Sequence, residues 1–186
     1  ESVRSSMSPS TAILLPAVGF LLLGSLLLWN GPGVSTMARG FPRSSRAAWL
    51  TLGAAALWTL YHVTQLGPSD FGEYRVPIFV AFAAVAALSF KYAPDFLAVR
   101  GACALTLLVA WVLLSATYGH YEALTLFFKA LLYLMVLLAL YLAVAPFRLR
   151  DFFAWLFARG SRARGLGGAL TACGVVLVAA AFSIDA

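Results

Sequence analysis

The chain has 186 residues, of which 62% are hydrophobic and 11% charged, with a mean hydropathy of +0.91. Soluble domains average about 45–50% apolar and about 25% charged residues, so the composition excludes a soluble globular domain and points to an all-α integral membrane protein. The net charge of +6 would suggest nucleic acid in a soluble chain; here it belongs to loops that orient helices and face anionic headgroups, so membrane lipids replace nucleic acid as the expected partner.

Six runs approach the roughly 20 apolar residues that a helix needs to cross a bilayer. Residues 1–10 are rich in Ser and contain Pro9, which reads as a flexible non-cytoplasmic lead-in. The chain opens at Glu1 rather than Met, and we expect an upstream segment that was cleaved or truncated. The first predicted span, 11–29, stops at Asn30-Gly31-Pro32-Gly33, because Gly and Pro continue a helix poorly. The second, 47–66, ends in Trp58, Tyr61, His62, Thr64 and Gln65 before Gly67-Pro68, and aromatic residues at that depth form an interface belt. The third, 74–92, is the shortest apolar run. It reaches crossing length only with Tyr74 and Arg75 at one set of headgroups and Lys91 and Tyr92 at the other.

Pro94 then breaks the chain, and Asp95 is expected to cap the fourth span, 96–118, with Arg100 one turn in and able to snorkel back. That helix ends at Thr117-Tyr118-Gly119, so close to the fifth span, 122–145, that the two should form an antiparallel hairpin. Within 147–159, Leu149, Phe152, Phe153 and Leu156 fall at i, i+3, i+4 and i+7 with Arg148 and Asp151 off the stripe, which predicts a short cytoplasmic interfacial amphipathic helix. The sixth span, 165–184, places Gly165, Ala169 and Cys173 four apart, a face that could approach another helix closely. No repeat relates helices 1–3 to 4–6, which weakens an inverted-repeat transporter reading.

The connections 30–46, 91–100 and 146–164 hold ten of the thirteen Lys and Arg residues, so the positive-inside bias makes them cytoplasmic and both termini non-cytoplasmic. Residues 11–186 form one polytopic membrane domain, with loops too short for an extramembrane unit. The Ala, Leu, Val and Gly content suits a bacterial inner membrane. Cys103 and Cys173 lie inside spans without CxxC spacing, which fits buried small hydrophobes better than a redox pair or a metal site.

Chemistry is sparse. The two histidines, His62 and His120, both fall near the non-cytoplasmic interface, with Tyr61, Gln65, Tyr118, Tyr121 and Glu122 nearby. Such a group could hold a haem, a quinone or a pigment, or it could simply anchor helix ends. Lys129 is the one charge well inside a span, seven residues beyond Glu122 and hence about 10 Å deeper on the same helical face. It calls for a partner such as Glu122, Asp70 or Glu73, and the Glu122 and Lys129 pair would suit an ion or proton pathway. There is no HExxH, no P-loop and no nucleophile elbow with matching partners. The expected role is therefore an accessory or structural subunit of a larger integral-membrane complex, of the energy-transducing kind found in respiration or photosynthesis. The alternative is a small transporter or redox subunit with a haem, quinone or ion site near the non-cytoplasmic interface.

Overall fold

A computed structural model of the chain describes residues 7–67, 71–92 and 95–184, and all regular structure among them is helical. Most of the lead-in, together with Pro68, Asp70 and Pro94, lies outside the described residues.

Helix α1 (Pro9–Trp29) starts where Ser8 Oγ accepts the Thr11 N–H at 3.2 Å and Pro9, with its preset φ, takes the first turn. It stops at Asn30, left-handed at φ 48, whose N–H bonds the Leu26 carbonyl. Pro32 then begins a second helix, α2 (Pro32–Gly40), in a stretch expected to be loop. A 3-10 turn at Phe41–Arg43 leads to α3 (Ser45–Thr64), capped by Ser44 Oγ on the Ala47 N–H at 3.2 Å. A further 3-10 turn, Gly72–Tyr74, precedes α4 (Arg75–Tyr92). The remaining helices are α5 (Leu97–Ala116), α6 (Ala123–Val144), α7 (Phe147–Leu156) and α8 (Gly160–Ile184). Asp95 does not cap α5: the position before that helix is Phe96, left-handed at φ 57, and no side chain caps the helix start.

Five segments are long and apolar enough to cross a membrane: Pro9–Trp29, Gly72–Tyr92, Leu97–Ala116, Ala123–Val144 and Gly160–Ser183. Helix α3 matches them in length, with 20 residues, but Trp49, Thr51, Trp58, Thr59, Tyr61 and His62 make it less apolar. Helix α3 packs between α4 and α5, and Thr51 Oγ1 donates to the Ala98 carbonyl of α5 at 3.1 Å, so part of its polarity is spent on a neighbouring helix.

The most extensive pairing joins α1 to α8. A Cβ added at Gly167 would lie 2.8 Å from the Gly24 carbonyl oxygen and 2.8 Å from the Leu28 nitrogen, and one at Gly174 would lie 3.1 Å from the Ala17 carbonyl oxygen. The close-approach face of α8 therefore runs through Gly167 and Gly174. It does not run through Gly165, Ala169 and Cys173 as the spacing suggested: Gly165 and Ala169 are exposed, and a Cβ at Gly165 would meet nothing within 4 Å. A second glycine contact, Gly101 against the Leu52 backbone, brings α5 onto α3.

Ala12, Ile13 and Ala17 of α1, Leu113 and Ala116 of α5, Phe128 and Leu132 of α6, and Leu177, Ala180 and Ala181 of α8 form the main core. Helix α6 also packs along α5, whereas α4 has no buried residue and packs chiefly on α3, with Phe90 reaching the cluster of Ala48, Leu97 and Ala98. The three basic connections converge at one end. Phe41, Phe96 and Leu149 share a cluster with Val99, Cys103 and Ala139, α2 packs on α7, and the Arg43 guanidinium lies 6.0 Å from the Phe96 ring centre. This is called the arginine end below, and the opposite end, where α5 turns into α6, the hairpin end.

Candidate functional site at the hairpin end

The turn between α5 and α6 is built by backbone chemistry. The Thr117 N–H caps α5 on the Leu113 and Ser115 carbonyls, the buried Thr117 Oγ1 donates to the Leu113 carbonyl at 3.0 Å, and Gly119 takes φ 87, a conformation open to glycine. The chain then reverses through His120 and Glu122 into α6. His120 Nδ1 lies 3.7 Å from the Glu122 carboxylate. The Glu122 carboxyl is held below its usual range, chiefly by its own backbone N–H, with the neighbouring His120 acting in the same direction.

Lys129 points back toward this turn. Its Nζ donates to the His120 carbonyl at 2.7 Å and lies 4.9 Å from the Tyr121 ring centre, so its ammonium sits at the level of the helix end although its Cα is two turns inside α6. Trp111 and Ser115 fall at i and i+4 on α5 with Tyr118 in the turn just beyond it, and Leu126, Lys129 and Tyr133 fall at i, i+3 and i+7 on α6. The two rows, with Leu114 and Tyr121, line a cleft of about 380 Å³.

His62 stands on the other side of Trp111. Its ring meets the Trp111 ring edge-on at 5.1 Å and the Tyr61 ring at 5.8 Å, and its Nε2 accepts the Trp58 indole N–H at 2.8 Å. An indole N–H only donates, so Nε2 carries the lone pair and the ring proton belongs on Nδ1. A haem iron or metal at Nε2 would have to displace Trp58. Gln65 contributes its backbone N–H to the His62 and Val63 carbonyls at the end of α3.

The residues singled out in the sequence thus fall into two groups, Tyr61 and His62 with Trp58, and Tyr118, His120, Glu122 and Lys129 with Tyr121. Trp111 touches the first and lines the cleft of the second. The ion pairs among the described residues are His120–Glu122 and Arg150–Asp151, so Lys129 is not joined to Glu122. Glu73 lies in the exposed turn before α4, and Asp70 is outside the described residues. Trp111, Ser115 and Tyr133 escaped the sequence reading, although their helical spacing with Tyr118 and Lys129 was visible there.

Ser10, Thr117 and Thr125 are the buried polar residues among those described, and all lie toward the hairpin end. No group of three or more His, Cys, Asp or Glu side chains among the described residues could hold a metal ion. A second cleft, of about 230 Å³, lies between α1, α5 and α6 beside Pro16, Phe20, Val109, Phe128 and Met135. Its one hydroxyl, on Thr106, is committed to the Ala102 carbonyl at 2.9 Å, so the cleft offers apolar contact alone. Comparison with protein-family models, curated proteins and solved structures finds no match for this chain.

Proposed function

We propose that the chain is a six-span protein of a bacterial inner membrane, with both termini non-cytoplasmic, serving as an accessory or structural subunit of a larger energy-transducing assembly. The observation that carries this reading is α4. It has no buried residue, it is held by α3, and it turns Ala81, Ala84 and Ala87 outward at i, i+3 and i+6. Lipid gives helices no hydrophobic reason to associate, so an outward row of small residues is most useful where a further helix approaches. The 20-residue length of α3 and its packing against both α4 and α5 support counting it as the sixth span. The convergence of the basic connections at one end supports the orientation.

Affinity purification from native membranes in mild detergent tests the role. A partner membrane subunit should copurify in a fixed ratio and be lost from Ala84→Leu, while that variant keeps the wild-type melting temperature. A chain that purifies alone as a compact monomer would overturn the reading. For orientation, an impermeant thiol reagent applied to intact cells should modify Glu73→Cys and spare Ser44→Cys; the reverse pattern would invert the topology.

A further inference from the structure

We propose that the cleft between α5 and α6 holds the headgroup of an anionic phospholipid, with its phosphodiester on Lys129. The inference rests on the chain spanning a membrane, and it stands with or without partner subunits. An ammonium rooted two turns inside a spanning helix calls for a counter-charge. Among the described residues Lys129 has none: it meets a neutral carbonyl and an aromatic face, while Glu122 is engaged with His120. The Lys129 ammonium therefore retains N–H donors for an anion.

Position selects the kind of anion. By reaching back to the His120 carbonyl, Nζ sits at the end of α6, the depth at which lipid phosphates lie. The cleft provides hydroxyls on Tyr118, Tyr121 and Tyr133 beside that charge, the Ser115 hydroxyl being committed to the Trp111 carbonyl at 2.8 Å, and apolar walls from Trp111, Leu114 and Leu126. Trp111, Leu126 and Tyr133 are themselves exposed on the outer surface of the bundle. A free phosphate would use the polar rim and leave the apolar walls empty, whereas a phospholipid uses both. Tyr and Trp at this depth suit the boundary between headgroup and acyl chain.

The test uses the full chain in phosphatidylcholine vesicles carrying a trace of phosphatidylglycerol with a photoreactive diazirine beside its glycerol ester, and a matched phosphatidylcholine probe. Adducts are mapped by peptide mass spectrometry. Residues 111–133 should label about fivefold more strongly with the phosphatidylglycerol probe, the preference one interfacial cation supplies. Lys129→Met should bring that ratio to about one, and Lys129→Arg should keep it. Adducts over residues 146–164 at the arginine end should be unchanged in both variants, which reports that they are folded and inserted. A wild-type ratio of one overturns the proposal, as does a preference that survives Lys129→Met. Abolition of the adducts by excess soluble glycerol phosphate also overturns it, by assigning the cleft to a free anion.

Discussion

The Gly24 carbonyl oxygen of α1 stands so close to Gly167 of α8 that a methyl group on Gly167 would lie 2.8 Å from it. The reciprocal position is as tight. A Cβ on Gly24 would lie 2.8 Å from the Thr171 nitrogen and 2.9 Å from the Gly167 carbonyl oxygen. Backbone atoms cannot swing aside, so Gly24→Ala must push the helices apart, at about 1–3 kcal/mol for overpacking of this kind. Gly165→Ala, with open space around it inside α8, should cost nothing and gain up to about 1 kcal/mol of helix propensity. Thermal unfolding in detergent checks the contrast, and equal melting temperatures for the two variants would remove the basis for this helix contact.

Across the second glycine contact, one hydroxyl proton of Thr51 is shared between the Ala47 carbonyl at 2.9 Å and the Ala98 carbonyl of α5 at 3.1 Å. Interhelical hydrogen bonds in membranes average about 0.6 kcal/mol, so Thr51→Val should cost little. Gly101→Ala should cost more, because its Cβ would run into Leu52 Cα at 2.8 Å. The ranking can be read from unfolding in sodium dodecyl sulfate, and a larger loss from Thr51→Val would contradict it.

Trp58 fixes the tautomer of His62. In nitrogen-15 spectra of the wild type, Nε2 should show the shift of an acceptor nitrogen, and Trp58→Phe should release the ring to a mixture of tautomers. A single unchanged tautomer in the variant would mean that Trp58 does not set the proton position.

Glu122 gives the fold an acid-sensitive element. Its folded pKa lies below the reference value of 4.5, so its contribution is fully present above 4.5 and is lost as pH falls through the lowered folded value. The carboxylate is solvent-exposed and screened, which keeps the effect small. Melting temperatures followed downward from neutral pH should fall less steeply for Glu122→Gln than for the wild type. Parallel curves would show that the carboxylate contributes nothing.

The long helices were legible because apolar runs punctuated by Gly and Pro declare themselves. Helix α2 was not, since Pro32–Gly40 is short and mixed in composition, and the Pro that stops one helix is also a good first residue for the next. Gly160–Arg164 looked like loop because of its arginines, yet it forms the first turn of α8. The packing face of α8 was out of phase because a segment dense in small residues contains several parallel stripes, and spacing alone does not say which one meets α1. At the site, residue type located His62, His120 and Lys129. The Trp58–His62 bond was implicit in an i, i+4 spacing. The approach of Trp111 to His62 depends on how two helices cross, and the hydrogen-bond partner of Lys129 is a backbone carbonyl that no side-chain pattern displays.

The pairing of α1 with α8 also bears on how the protein is made. Gly24 leaves the ribosome long before Gly167, and at about 5–20 residues per second the interval is on the order of ten seconds. For that time the glycine groove of α1 is without its partner, and the largest helix contact in the bundle waits for α8 to be made. The main seam of the fold therefore closes late in biogenesis, and a chain stalled before α8 would leave that groove open.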